Sequence, residues 1–355
     1  MASVPPKIPV HAVFSPSWWF RHYGIAFDED FYLNAERRIE DDVRMRRALW
    51  ERFGIGSGEI APRPVAGSLH IAGGFVMPAL FGNKIRFSAG QAAWPEVSER
   101  SREEVLALTA PDLATTWPMS ELLRQMEELR ARFGYVVGDL NTGGLLNNAM
   151  EQRGNQFFLD MLEDAEVAEH LLGVLGETQA AVAKCVKSYT GTCGIATNVS
   201  VAACDASLYL HSNCSVQMIS PALYAQRLLP HEKTLAEAMR PYGVHHCGNN
   251  LHLFARQYAQ LEPVFVDVGW GSDIGRCAAE LPGAFLNLRL SPVRMLQESA
   301  GEIYADTLGA LRAAGRRERV GVCCINMDGQ TPDENVAAMF RAAADYEKEA
   351  AGGRQ

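Results

Sequence analysis

The sequence predicts an α/β fold, specifically a (β/α)₈ barrel of TIM type, and two observations carry this prediction. Short apolar runs rich in β-branched residues, ending in Gly, Asn or Asp, alternate with amphipathic helical stretches along most of the chain. About eight such strand candidates occur. Alternation of strand and helix implies a parallel sheet, and eight units imply a sheet closed into a barrel.

The strand candidates are spread from residue 10 to residue 326, with weaker patterns near the N-terminus. In chain order they are residues 10–14, 66–75, 135–140, 195–203, 243–247, 264–268, 284–290 and 319–326. Apolar residues spaced three and four apart predict helices over 120–133, 155–189, 221–240, 250–260 and 300–314. Residues 21–60 and 85–118 fit no βα unit, so we interpret them as helical elaborations on one barrel domain spanning 1–355.

Composition and charge narrow the class of protein. Of the 355 residues, 48% are hydrophobic and 21% are charged, as in ordinary globular domains. The net charge of −9 argues against a nucleic-acid or membrane-surface partner, because those surfaces attract clustered Lys and Arg. No run has the length of a signal-peptide core or of a membrane helix, so we expect a cytoplasmic protein. Its eight cysteines are then expected to be reduced.

Two segments offer soft metal ligands. In an extended strand, side chains two residues apart point to the same side, so His245 and Cys247 can converge while His246 faces away. Cys323 and Cys324 end the last strand candidate, and alternation directs one of them into the barrel and the other toward the helices. Strand ends around a barrel mouth share one cavity, so the two segments can meet there.

One imidazole and two thiolates suit zinc, and a set of three ligands leaves a position open for catalysis. Zinc in such a site binds a substrate thiol and lowers its pKa, which makes it a nucleophile toward a methyl donor. Activation of a carbonyl group or of water is another use of the same metal. The alternative without a metal is a set of buried cysteines beside a hydrogen-bonded core histidine.

Four stretches carry a resemblance to a known family. They are residues 143–160, 219–224, 245–249 and 331–335, and they resemble the uroporphyrinogen decarboxylase superfamily. That superfamily has a (β/α)₈ barrel and includes the methylcobamide:coenzyme M methyltransferases and related corrinoid-dependent enzymes. The resemblance extends over most of the chain, from about residue 10 to residue 340.

The decarboxylase branch fits less well. The resemblance places Arg21 where decarboxylases grip a substrate carboxylate, but Ile25 stands where their second arginine belongs. Their Asp near the second strand has no counterpart, because no Asp lies between Asp42 and Asp112. Their C-terminal His is also missing, since His252 is the last in the chain.

The methyltransferase branch fits better. It binds zinc through a His-x-Cys pair and a distant Cys, to which His245, Cys247 and Cys324 correspond by resemblance. The Cys323-Cys324 doublet departs from the usual pattern. No Asp-x-His-x-x-Gly loop is present, so cobalamin is expected from a separate corrinoid protein or as a free cofactor.

Other polar residues near strand ends are weaker candidates, for which a helix cap or a solvated loop is the alternative. Those proposed to act in catalysis are His211, Arg21 and Asp139, as substrate contact, carboxylate anchor and proton acceptor respectively. Those proposed to contact the cofactor are Asn249, Asp205 and Trp270.

The sequence therefore predicts a zinc-dependent methyltransferase that moves a methyl group between a corrinoid and a thiol or similar small molecule bound at zinc. Two alternatives remain: a lyase of the decarboxylase type acting on a carboxylated substrate, and a barrel that binds a corrinoid or tetrapyrrole without catalysis. Apolar surface from Trp18, Trp19, Phe20 and Tyr23 favours a homodimer.

Overall fold

A computed structural model describes residues 8–67, 74–192, 201, 204, 205, 207–316 and 318–352. The strands within these residues lie close to the sequence expectations for all but one barrel unit. They are β1 (Val10–Phe14), β2 (Val65–Gly67), β3 (Ile85–Ser88), β4 (Gln91–Pro95), β5 (Val137–Asp139), β6 (Tyr209–Ser212), β7 (Tyr242–His246), β8 (Phe265–Val268), β9 (Phe285–Arg289) and β10 (Val320–Met327).

The predicted (β/α)₈ barrel is confirmed. Six strands form one parallel sheet in the order β1-β10-β9-β8-β7-β6, so the first strand of the chain pairs with the last. Strands β2 and β5 form a second parallel pair and complete the eight strands. The pairing of the first strand with the last is the mark of a closed sheet.

The fourth barrel strand differs from its expected position. Most of the predicted segment 195–203 lies outside the described residues, and the strand that pairs with β7 is β6. The run Tyr209-Leu-His-Ser is short, fully buried and without β-branched residues. Hydrophobic periodicity detects such a strand only weakly. This shift changes the position of every candidate residue near β6.

The helices follow the strands and cover the barrel. They are α1 (Pro16–Tyr23), α2 (Glu29–Leu33), α3 (Ala35–Phe53), α4 (Val76–Leu80), α5 (Arg102–Leu106), α6 (Met119–Phe133), α7 (Leu145–Arg153), α8 (Gln156–Glu163), α9 (Ala165–Thr190), α10 (Pro221–Leu223), α11 (Leu229–Ala238), α12 (Leu251–Ala259), α13 (Ile274–Glu280), α14 (Pro292–Gln297), α15 (Ala300–Ala313) and α16 (Asp333–Gly352). A π-helical turn, Tyr224–Leu228, joins α10 to α11.

Two helical predictions differ in detail. The stretch 155–189 is two helices, because Asp164 leaves the helical conformation and its side chain accepts a hydrogen bond from the Val167 N–H as the cap of α9. Residues 85–118 contain the antiparallel hairpin β3–β4 and the short helix α5, so this insertion is not the helical elaboration expected. The insertion 21–60 is helical, in α1 to α3.

Alternation along the strands divides the barrel interior into an apolar floor and a polar layer. Phe265 and Phe285 stack at the floor with ring centroids 5.5 Å apart. Leu208 and Leu210 pack with them. The inward residues two positions further along β8 and β9 are polar, and these strands therefore carry the chemistry toward their carboxyl ends.

The expected apolar surface is largely part of the core. Trp18 and Trp19 are 0% and 1% exposed, whereas Phe20 is 47% exposed. Trp18 stacks on Phe14, and Trp19 contacts Phe14 edge-on. The homodimer stays a prediction, and the buried rings of Trp18 and Trp19 do not support it. Among the described residues, no helix has both the length and the apolar character needed to cross a membrane.

Candidate metal centre

Three potential metal ligands meet at the carboxyl ends of β6 and β7. They are Cys214, His245 and Cys247, and their ligand atoms lie within 4.8 Å of one another. His245 is the last inward residue of β7, and Cys247 follows it on the same side as alternation predicts. Cys214 lies two residues past β6, and the Asn213 N–H donates to the His245 carbonyl at 2.6 Å, which holds the two chain segments together.

The imidazole of His245 is fixed by a buried carboxylate. Its Nδ1 lies 2.5 Å from the Asp267 Oδ2 on β8, and Asp267 also accepts a hydrogen bond of 2.6 Å from the Asn287 amide on β9. Asp267 and Asn287 are both fully buried. Because Nδ1 donates to the carboxylate, the lone pair of Nε2 is directed into the site, which is the orientation of a metal-binding histidine.

The neighbouring residue faces the other way. The Tyr258 hydroxyl donates to Nδ1 of His246 at 2.8 Å, and Nε2 of His246 donates to the Asn250 Oδ1 at 3.0 Å. Both partners belong to the segment that leads into and forms α12. His246 is therefore a satisfied core histidine, as the alternation along β7 predicts.

Electrostatics favour a thiolate at this centre. A hydrogen bond from the Cys214 thiol, together with His245 and Arg289, holds the pKa of Cys247 well below its usual range despite burial. The same hydrogen bond and burial raise the pKa of Cys214. These shifts favour the thiolate form of Cys247, which is the form that binds a metal.

The three ligands lie on the wall of a large cavity at the barrel mouth. The cavity has a volume of about 1000 Å³, and Arg289 and Asn326 line it beside the cysteines. A smaller cavity of about 230 Å³ lies on the other side of Cys247 and Arg289. A metal held here would have one face open to a bound substrate.

Two glycines allow the chain to pack this closely. A Cβ on Gly144 would lie 1.5 Å from the carbonyl oxygen of Ser212, and one on Gly269 would lie 2.1 Å from that of Gly248. The first contact is next to Cys214 and the second is next to Cys247. Any side chain at these positions would therefore displace a ligand segment.

The two C-terminal cysteines point in opposite directions. Cys323 faces the barrel interior, where the Asn287 amide donates to its sulfur at 3.1 Å. Cys324, the ligand expected from the resemblance, is fully buried in the main hydrophobic core between sheet and helices. Burial raises the pKa of Cys324 to about 12. The structure brings Cys214, and not Cys324, to His245 and Cys247.

The other predicted catalytic residues lie apart from the metal centre. Arg21 is exposed on α1 beside Gly329 and is not among the described residues that line the cavity. Asp139, at the end of β5, has an oxygen without a hydrogen-bond partner in the described part of the chain, and burial raises its pKa to about 8. Neither residue contacts His245 or Cys247 in the described structure.

The shift of β6 moves two further candidates. His211 lies within the strand, is fully buried, and faces the helical layer 3.7 Å from Glu232. Asp205 precedes the strand, where its carboxylate caps the Ser207 N–H, so it lies at the opposite end of the barrel from the metal centre. Neither lines the cavities at the mouth within the described residues.

The two remaining candidates do lie at the mouth. Asn249 and Trp270 line the smaller cavity together with Cys247 and Arg289. The Trp270 ring is 45% exposed, and the Arg294 guanidinium lies 6.0 Å from its centroid. Both are therefore available to a molecule that enters the mouth.

Sequence reasoning missed Cys214, Asn287 and Arg289. Cys214 directly follows the run Tyr209-Leu-His-Ser-Asn, which contains β6. With the fourth strand predicted at 195–203, the sequence does not place Cys214 at a strand end. Asn287 and Arg289 alternate along β9 in the segment Phe285-Leu-Asn-Leu-Arg. Inward polar residues in a buried strand were the signal that could have identified them.

The sequence profile of the uroporphyrinogen decarboxylase family matches residues 74–346. The chain belongs to the uroporphyrinogen decarboxylase family. No curated protein sequence matches it. Ile25, which replaces an arginine expected of the decarboxylases, is fully buried in the core of this family member.

Two solved structures have the same fold. A methyltransferase from Methanosarcina mazei is 16% identical, with a TM-score of 0.69 over 96% of this chain and 94% of that one. A B12-independent methionine synthase from Shewanella sp. W3-18-1 is 13% identical, with a TM-score of 0.53 over 99% of this chain and 100% of that one. At these identities the likeness establishes the fold alone.

A buried polar cluster lies behind the candidate metal centre of this family member. Glu232 on α11 accepts hydrogen bonds from the Tyr224 hydroxyl at 2.7 Å and from the Asn213 amide at 3.0 Å, and Asn213 precedes Cys214. Glu232 is fully buried, and burial raises its pKa from 4.5 to about 7. The carboxyl group is thus protonated more readily in the folded protein than in the unfolded chain.

This shift predicts a loss of stability as the pH rises. The contribution of Glu232 is fully present below pH 4.5 and is lost as the pH rises through 7. Its size is about 3 kcal/mol at most. We expect Glu232→Gln to reduce, by that amount or less, the difference in unfolding free energy between pH 5 and pH 8 in urea titrations. An unchanged difference in the variant would contradict this assignment.

Proposed function

We propose that this protein is a zinc-dependent methyltransferase that moves a methyl group between a corrinoid and a thiol bound at the metal. One observation carries the proposal: Cys214, His245 and Cys247 lie within 4.8 Å of one another on the wall of a large cavity. The name of the Methanosarcina mazei neighbour as a methyltransferase agrees with it.

The donor set fits zinc. Two thiols and an imidazole whose Nδ1 is held by the Asp267 carboxylate are soft and borderline ligands in the proportions that catalytic zinc sites use. Three protein ligands leave one position for a substrate. When bound there, zinc supplies the acidity that keeps a substrate thiol deprotonated at neutral pH.

The protein's own residues then have distinct tasks. Cys214 and Cys247 would hold the metal as thiolates and offset its charge, which would leave the sulfur of the substrate electron-rich. Asp267 keeps the His245 proton on Nδ1. The cavity admits the acceptor, and the donor approaches from the open mouth, where Asn249 and Trp270 line the entrance. A separate corrinoid protein or free cobalamin would supply the donor.

The test is methyl transfer with defined metal content. Purified protein is incubated with methylcobalamin and a panel of small thiols, and conversion to cob(I)alamin or to its oxidised product is followed by absorbance. We expect turnover with zinc, loss of turnover after chelation, and recovery after zinc is returned. Turnover that persists at the original rate in the chelated, metal-free protein would contradict the proposal.

A further inference from the structure

A glutamate in the wall of the large cavity has no partner for its carboxyl group. Glu151 lies on α7 and lines the cavity of about 1000 Å³ that also borders the candidate metal centre. Its Oε2 is shielded from solvent and has no hydrogen-bond partner in the described part of the chain. Burial raises the pKa of Glu151 to about 8. A buried polar atom without a partner is destabilising, and a ligand that donates a hydrogen bond would remove that cost.

The backbone of Glu151 is tied to both ends of the β3–β4 insertion. The Ser98 N–H and the Asn83 amide both donate to the Glu151 carbonyl oxygen at 2.9 Å. These two donors stand on either side of the hairpin, and residues of β4 line the same cavity. Helix α4 packs against α7 and adds Met77 and Pro78 to the cavity wall. The glutamate therefore has a fixed position in a wall with apolar neighbours, where water screens a charged contact only weakly.

Helix α7 connects this glutamate to the candidate metal centre. Asn147 lies one turn before Glu151 on the same helix face, and both line the cavity. The Asn147 Oδ1 accepts a hydrogen bond of 3.2 Å from the N–H of Ser215, the residue after Cys214. Four residues of α-helix span about 6 Å. A small molecule held through its sulfur at the metal can thus reach Glu151 with a group a few atoms further along its chain.

The charges around the cavity differ between its two sides. Arg289 is the only lysine or arginine among the described residues that line it, and its guanidinium lies beside the His245 ring. The other side carries Glu151 and the exposed Glu99, whose side chain lies next to Gly154 at the end of α7. A bound molecule therefore meets negative charge at the end that points away from the metal.

We propose that Glu151 selects an acceptor thiol that carries an ammonium group. The inference rests on the proposed function and names the class of its substrate. The ammonium N–H donates to the Glu151 carboxylate, which is ionised in this pair, its proton having passed to water. A hydroxyl group in the same place would form a weaker, neutral hydrogen bond. A sulfonate group would be repelled by the carboxylate.

The experiment measures thiol binding without turnover. Cobalt(II)-substituted protein is titrated with 2-aminoethanethiol, 2-mercaptoethanol and 2-mercaptoethanesulfonate, and with their propyl and butyl homologues. The visible bands of cobalt change when a thiolate binds, which gives a dissociation constant for each compound. We expect the wild type to bind the best aminoalkyl thiol at least about tenfold more tightly than the hydroxyalkyl thiol of equal length, and the sulfoalkyl thiol most weakly.

Glu151→Gln separates the carboxylate from the intrinsic acidity of the thiols, because that acidity is the same for both proteins. The variant keeps the shape of the side chain, and we expect it to lower the preference for the aminoalkyl thiol at least about tenfold while its affinity for the hydroxyalkyl thiol stays within about twofold. Glu99→Gln is the matched control. Glu99 lines the same cavity but is exposed, so water screens its charge and the wild-type preference is expected to remain.

The outcomes distinguish this inference from the proposed function. Thiols that bind with the same preference in the wild type and in Glu151→Gln, or an equal loss of preference in Glu99→Gln, would overturn the role of Glu151 and leave the proposed function intact. Protein that takes up no metal, or loaded protein that binds no thiol, would overturn the proposed function and this inference with it. Should Glu151→Gln fail to fold, as judged by its urea midpoint, the order of the three thiol classes in the wild type decides: tightest binding of the sulfoalkyl thiol overturns the inference.

Discussion

We expect Cys214→Ser to lower the zinc content of the purified protein from about one ion per chain to near zero, and Cys324→Ser to leave it unchanged per folded molecule. The reason is geometric: the Cys214 sulfur lies within 4.8 Å of the ligand atoms of His245 and Cys247, and Cys324 packs in the core on the other side of β10. Elemental analysis after gel filtration measures both values.

A stability measurement separates loss of a ligand from loss of the fold. Cys324→Ser buries a hydroxyl in an apolar environment and is expected to cost about 1–3 kcal/mol of unfolding free energy. Cys214→Ser is expected to cost less in the metal-free protein, because its side chain is half-buried at the cavity wall. Full zinc content in Cys214→Ser together with its loss in Cys324→Ser would reverse the ligand assignment.

The second large effect is expected from Asp267→Asn. The carboxylate holds the proton of His245 on Nδ1 at 2.5 Å, and an amide cannot offer the same negative charge to the ring. Loss of such a partner typically weakens metal binding by about 10-fold to 100-fold. Zinc titration against a chelator measures the change in affinity, and methyl transfer at saturating zinc measures what remains of the activity.

Asp273→Asn is the matched control for this substitution. Asp273 lies on the connection that follows β8 and caps α13 by accepting from the Arg276 N–H at 2.9 Å, and asparagine caps helices equally well. We expect its zinc affinity to equal that of the wild type. Equal affinities in all three proteins would mean that Asp267 does not orient a metal ligand.

The barrel could be predicted from sequence because its strands differ sharply in composition from its helices. Segments 264–268 and 284–290 are apolar except for Asp267, Asn287 and Arg289, and they coincide with β8 and β9. β6 was misplaced because four residues with a central histidine do not contrast with their surroundings. The hairpin β3–β4 belongs to an insertion, where the alternation of strands and helices predicts nothing.

The candidate metal centre could be predicted only in part, for a related reason. Alternation within one strand brings His245 and Cys247 together, and this local rule holds in the structure. The third residue depends on which strand is next in the sheet and on where that strand ends. A one-residue change of register separates Cys323, in the barrel, from Cys324, under the helices, and sequence cannot resolve such a choice.

The stacked rings of Phe265 and Phe285 close the barrel axis beneath the polar layer. A molecule that reaches His245 must therefore arrive and depart through the mouth, where a corrinoid would also be presented. In the proposed reaction both reactants must therefore reach the site through this one opening. The small acceptor has to enter first, and a broad donor seated over the opening would then confine it until transfer is complete. The order in which the acceptor and the donor bind thus follows from a barrel that is closed at its floor and open at its mouth.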